Sequence, residues 1–255
     1  MEATLRAARR SFGWIAIALG VVAATFLAAS TWERVKTRPP DRTIQVTGSA
    51  KKRIVSDLIQ WTGSVEVENP TDRVAAYRTL HEQTQKVVAF LRNHGLKPEE
   101  IEPSSSSVER VVETEKVGHG EDAVERQVPK GYRATQSVRV RSTNVALVER
   151  ASREVTELLE QGVSISSERP AYFYTKLGEL KIEMLAEAAK DARTRAENMV
   201  RSAGGATIYN LRSADMGIIN INPANSSETS AEGNNDTTSL EKDIMTIVHV
   251  SYALR

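Results

Sequence analysis

The chain has 255 residues, 40% of them hydrophobic, with 34 Lys and Arg against 33 Asp and Glu, a formal net charge of +1. That length holds one or two domains with a sizeable core, and the near-neutral balance excludes a chain held to nucleic acid by basic contacts. There is no cysteine, which excludes disulfides, thiolate metal centres and a cysteine nucleophile.

The strongest local signal lies at the N-terminus. Phe12 to Ala29 is an apolar run of 18 residues without a charge. As a helix it would be about 27 Å long, close to a hydrocarbon core of about 30 Å. Trp14 and Trp32 suit the two interfaces. Arg6, Arg9 and Arg10 precede the run and Arg34, Lys36 and Arg38 follow it, so the positive charges are tied at three on each side. The basic-then-apolar build of an export signal sets the expected orientation, with the N-terminus in the cytoplasm. The segment either stays as a single-pass anchor or is cleaved near Ala28-Ala29-Ser30. Its length, beyond the roughly 7–15 apolar residues of a signal peptide, favours the anchor. The expected organisation is then a cytoplasmic tail over 1–11, a transmembrane helix over 12–29, a linker over 30–42 containing Pro39-Pro40, and a domain over 43–255.

In that domain, Thr43–Ser49 alternates and reads as a strand. Arg53–Glu68 alternates too, with Val55, Ile59, Trp61, Val65 and Val67 on one face. Asp57 sits on that apolar side near its start. Asn69-Pro70-Thr71-Asp72 then switches the period to a helix carrying Val74, Tyr77, Thr84, Val88 and Leu91, closed by Gly95. Ser104–Val117 and Val124–Ser142 read as a strand pair around Gly118-His119-Gly120-Glu121-Asp122. Thr143 or Asn144 caps a helix running to about Gln161, and Val163–Tyr174 is a strand that Pro170 marks as an edge or bulge. Leu177–Ala203 is the longest helix of the domain, with a stripe of Leu180, Met184, Ala188, Ala192, Ala196 and Met199. Thr207–Met216 and Ile244–Leu254 are closing strands, separated by the polar loop Gly217–Asp243, a disordered insertion or a binding loop. Strands and helices in this order give an α+β fold, an antiparallel sheet with helices packed on it.

No site emerges. His81, His94, His119 and His249 form no pair at metal-ligand spacing, and no His-Glu-x-x-His occurs. There is no Gly-x-Ser-x-Gly elbow, no phosphate-binding glycine motif, and the serines 104–107 read as a loop or strand edge. Asp72 reads as a helix cap. Arg133, Arg139 and Arg141 read as the wet face of a sheet, and Tyr172, Phe173 and Tyr174 alternate faces rather than forming a stacking platform. No catalytic, cofactor-binding or metal residue is assigned, no cofactor is expected, and the chain reads as a non-enzyme.

Several stretches resemble the SIMPL-domain family: Ile44-Gln-Val-Thr-Gly48; Asn69-Pro70-Thr-Asp72-Arg-Val-Ala75; Leu91-Arg-Asn-His-Gly95; Gly131-Tyr-Arg-Ala-Thr-Gln-Ser-Val-Arg-Val140; and Ala186 to Ala196 leading to Ala203-Gly204-Gly205. The resemblance runs from about Thr43 to Leu254 and lies in the order and spacing of these pieces. It implies an exported or envelope protein of a family without established catalytic residues. Some members form homo-oligomeric rings, some are linked to envelope or oxidative stress, and an animal member is associated with a signalling kinase. The loop 217–243 and the long N-terminal segment depart from a freely soluble periplasmic protein.

The expectation is a membrane-anchored, extracytoplasmic, non-catalytic domain that self-assembles, with a place in envelope organisation or stress response. Its expected partners are the bilayer, through residues 12–29, further copies of itself and an envelope protein, with no nucleic acid. Its expected location is the cell inner membrane, single-pass, with the domain in the periplasm or other extracytoplasmic space. Two alternatives stay open: an adaptor that contacts a partner through loop 217–243, and a hydrolase of cell-envelope material.

Overall fold

In the computed structural model, which describes residues 19–33, 42–69, 71–117 and 124–255, the chain crosses between two antiparallel sheets. The first has three strands in the order β1 (Thr43–Val55), β9 (Glu241–Leu254), β8 (Ile208–Pro223). The second is built on β2 (Leu58–Asn69) and β5 (Val124–Ser142). On its far side β5 takes β3 (Ile101–Pro103) and β4 (Ser107–Val117), while β2 takes β6 (Ile165–Ser167) and β7 (Ala171–Phe173). Helices α2 (Arg73–Asn93) and α3 (Val145–Glu154) pack on the six-stranded sheet, and α4 (Leu177–Ala203) packs on the three-stranded one. The α+β expectation holds, with two sheets where one was expected.

Residues 19–33 form helix α1, on which Leu19, Val22, Phe26 and Leu27 are exposed. Among the described residues no helix is long and apolar enough to cross a membrane. The expected span 12–29 reaches back into residues outside the described set, as does the loop around His119.

The larger core follows from two periodicities. Alternate residues of β2 (Ile59, Trp61, Val65) and β5 (Ala134, Val138, Val140) point to one face, and the α2 stripe Ala76, Leu80, Val87, Leu91 covers them with Val148 and Ala151 of α3. Full burial of a side chain such as Leu80 or Leu91 contributes about 1.5–3 kcal/mol. The Trp61 ring lies over Gly63, and its Nε1–H donates to Ser167 Oγ at 3.0 Å; that hydroxyl donates in turn to Ser152 O. The opposite face of β2 and β5 is polar, and there Arg133 pairs with Glu66 and Glu68.

The smaller core depends on a close approach. The α4 residues Leu180, Met184, Ala188, Ala192, Ala196 and Val200 recur every fourth position and are buried; the three alanines pack with Val46, Val248, Val250 and Tyr252, and Leu180 and Met184 with Ile54, Ile221 and Ile244. Met199, expected in the stripe, is 55% exposed. Gly48 lets the helix backbone come down on β1: a Cβ there would lie 2.1 Å from Ala188 O and 2.5 Å from Ala192 N.

Several boundaries differ from the sequence reading. The strand expected over 53–68 is broken at Ser56-Asp57, and its two parts lie in different sheets. The strand expected over 163–174 is split into β6 and β7 around Glu168–Pro170. Asp72 caps α2 as read, accepting from Val74 N–H at 2.8 Å, while Asn69 accepts from Thr71 N–H and Asp72 N–H. Asn144 caps α3, which tightens into a 3-10 turn over Val155–Gln161 and ends at Gly162 in the left-handed region. The closing strands are longer than expected, so the polar connection is residues 224–240.

That connection is tied down. Asn220 Oδ1 accepts from Ser230 N–H and Asn234 N–H, and Asn234 Nδ2 donates to Asn222 Oδ1. It also splices the sheets: Tyr172 N–H donates to Thr237 O, Ser56 N–H to Leu240 O and Asp57 N–H to Phe173 O. Lys242, 2% exposed, donates to Tyr172 O and Asp236 O. Asp57 accepts from the N–H and hydroxyl of Thr175, where β7 leads into α4.

The Gly48 contact is testable against a control on the same helix. Gly48→Ala forces backbone apart and is expected to destabilise by about 1–3 kcal/mol. Gly178→Ala, with open space at its Cβ in the first turn of α4, is expected to stabilise by about 0.4–1 kcal/mol. Urea unfolding midpoints of the two variants check both signs.

Candidate functional site

With α4 on one face of the three-stranded sheet, the other face is open. It holds a depression of about 420 Å³ lined by Gln45, Thr47, Ser213, Asp215, His249 and Ser251. The register places three of these in line, Thr47 opposite His249 and His249 opposite Asp215. Facing side chains on adjacent strands are close enough to interact, and Thr47 Oγ1 lies 3.1 Å from His249 Nδ1. Hydroxyl, imidazole and carboxylate on adjacent strands could together bind a polar ligand. All three are exposed, so the row does not exclude water as nucleophilic catalysis requires.

A charged cluster lies at the other end of the same face. Asp243, 2% exposed, accepts from Arg53 Nε at 2.9 Å, from Lys51 Nζ at 3.0 Å and from Asn225 N–H at 2.9 Å. The Arg53 hydrogen bond outweighs burial and, with Asn225 and Lys51, holds the Asp243 carboxyl far below the usual carboxylate range. Asp191 is lowered by the Ser49 N–H and Arg195. Asp236 is also lowered: burial alone would raise it, but the N–H and hydroxyl of Thr238 prevail.

The third feature is an edge. β8 pairs with β9 on one side and, among the described residues, with no strand on the other. Its ladder carries irregularities at 208/210, 211/213 and 216/219. Tyr209, Leu211, Met216 and Ile218 are exposed along it. Sequence reasoning assigned β8 only as a closing strand; the run of apolar residues among polar ones was visible, but nothing local says that a strand is terminal in its sheet.

The residues singled out in the sequence go elsewhere, except one. Asp72 is a cap. His81 stacks on Tyr77, and His94 packs on Phe90 and lies 3.2 Å from Glu154. Tyr172 donates to Glu149, and burial, then that bond, pushes its hydroxyl up to about 12. Ser104 Oγ donates to Ser105 O and accepts from Ser137 N–H in the turn before β4. Only His249 joins a row of polar groups. Among the described residues no group of three or more His, Cys, Asp or Glu is placed to hold a metal ion.

The acid limb of stability follows from these carboxylates. A group lowered in the folded state stabilises above its unfolded value, about 3.9 for Asp, and that contribution is lost as pH falls below it. Thermal midpoints are expected to drop below about pH 4. Asp243→Asn is expected to lower the midpoint at neutral pH and to make the acid slope shallower, read by circular dichroism between neutral and strongly acid pH.

Compared with known families, residues 44–252 match the family described as SIMPL, protein of unknown function (DUF541). No curated protein matches the chain.

Proposed function

The chain belongs to the SIMPL family, whose function is unknown, and we propose that it acts in that family as a non-catalytic assembly module, tethered to the extracytoplasmic face of a membrane. The observation that carries this reading is the β8 edge, which among the described residues takes no further strand, only the bridge of Ile221 with Asn235, and which bears exposed Tyr209, Leu211, Met216 and Ile218. Such an edge is a template for adding a strand from another chain. The tether rests on the uncharged run Phe12–Ala29, of which residues 19–29 are helical with exposed apolar side chains. The reading places the N-terminus in the cytoplasm, the domain outside the inner membrane and the function in envelope organisation or stress response.

The same observations weigh against the alternatives. The connection exposes Glu228, Thr229 and Glu232, but Asn220 and Asn222 at the end of β8 hold residues 228–234 in place, which favours a structural role for it. A hydrolase needs a sheltered site, whereas the Thr47–His249–Asp215 row is exposed.

Two measurements on the full chain test the two halves of the reading. After carbonate washing of membranes, the protein is expected in the pellet with residues 12–29 intact by mass spectrometry; a soluble form beginning near residue 31 would overturn the tether. Light scattering in detergent is expected to give a multiple of the chain mass, and a single-chain mass at micromolar concentration would overturn assembly.

A further inference from the structure

The strand edges of the structure differ in how they meet solvent. Along β1, Lys51, Lys52 and Arg53 are exposed, and Asp191 occupies the outward N–H of Ser49. Along β4, Glu109, Arg110, Glu113 and Glu115 are exposed. Charges of this kind keep other strands from docking. β1 and β4 each add one exposed valine, Val55 and Val112, whereas β8 exposes Arg212 and Asp215 but also, on one face, Leu211, at 56%, and Met216, at 76%, with Ala214 between them. These three stand opposite Tyr252, Val250 and Val248, and so lie on the face that α4 lines.

The main chain adds an independent observation. Leu254 N–H donates to Arg42 O, while Arg255 and Thr207 exchange N–H···O bonds. Antiparallel bonding alternates along a strand, so even-numbered residues of β9 bond towards β1 and odd-numbered ones towards β8. Ala214 and Met216, opposite Val250 and Val248, therefore turn their own N–H and C=O groups out to the free edge.

We propose that β8 pairs with β8 of a second copy, antiparallel, about a two-fold axis at Ala214. This deepens the assembly reading and rests on it. Ala214 meets its own counterpart through a reciprocal pair of N–H···O bonds. Ser213 then faces Asp215 of the second copy, hydroxyl against carboxylate, on the polar face. The irregularity between Leu211 and Ser213 brings Leu211 opposite Met216 of the second copy, on the apolar face. A one-residue slip would set apolar side chains against the polar face, and an axis at Asp215 would oppose two carboxylates. The charges along β1 and β4 disfavour pairing of β8 with either of those edges, and the register of β8 is complementary to itself. The two three-stranded sheets become one of six strands, with both α4 helices on the same face.

The chain has no cysteine, so a single introduced one reports the axis. Hydrogen-bonded antiparallel partners have Cα atoms about 5.5 Å apart, within the roughly 4.4–6.8 Å of a disulfide. In the full chain in detergent, Ala214→Cys is expected to give a covalent dimer on mild oxidation, and Ile182→Cys, on the exposed side of α4, to give none. Met216→Lys, at a position too exposed to affect the core, is expected to keep the wild-type melting transition of the dilute protein and at least to halve the mass by light scattering. Ala214→Pro removes only an outward N–H, a place where edge strands tolerate proline, and is expected to lower the mass in the same way. If Ala214→Cys crosslinks no more than Ile182→Cys, or if Met216→Lys retains the wild-type mass, this pairing is overturned while assembly through other surfaces stands. If the wild-type chain itself has the mass of one copy, the pairing and the assembly reading fall together.

Discussion

The pressing of α4 onto β1 at Gly48 decides which surfaces the protein has left to use. A helix with Ala188, Ala192 and Ala196 in the middle of its inward stripe descends on the sheet where the strand beneath it has no side chain, and the backbone atoms of Ala188 and Ala192 occupy the space a Cβ would take. Once the helix is seated, the apolar sides of β1 and β9 are covered and their polar sides face out. The helix lies over β1 and β9 more than over β8, so Leu211 and Met216 point to the covered face and yet stay in solvent. The row of Thr47, His249 and Asp215 and the bare edge of β8 both follow from where that one helix sits.

Much of this was legible because two periods are hard to mistake. The boundaries of α4 at Leu177 and Ala203 and of β5 at Val124 and Ser142 agree with the sequence reading, since a long stripe at every fourth position and a long alternation have few competing explanations. The break at Ser56-Asp57 was not legible. Val55, Asp57 and Ile59 keep the alternation running through it, and only a contact with Leu240, almost two hundred residues away, shows that the chain changes sheet there. The order within the loop is hidden for a related reason. Asn220 and Asn222 look like solvent-loving residues, but they alternate with Ile219 and Ile221 at the end of β8, and their amides bond back to residues 228–234. Composition reads a polar stretch as disordered when its hydrogen-bond partners lie within the stretch itself.

The candidate site was legible only in fragments. His249, Thr47 and Asp215 each lie on strands the sequence assigned, but their alignment depends on β9 lying between β1 and β8, an order that no local pattern specifies. The same holds for the edge. Charged residues at 51–53 and 109–115 look like ordinary surface until the topology shows that both flank open edges, and only then does the different character of β8 stand out.

The two sheets share the chain at few points, at Ser56-Asp57 and between β7 and α4. In the tethered arrangement proposed above, a pull from the bilayer would enter at Thr43, the start of β1, whose partner at that end is Ala253. Such a load would peel β1 from β9 one rung at a time until it reached the tight seat at Gly48. The six-stranded half would ride as a passenger, mechanically shielded behind the splice that Lys242 and Asp57 complete.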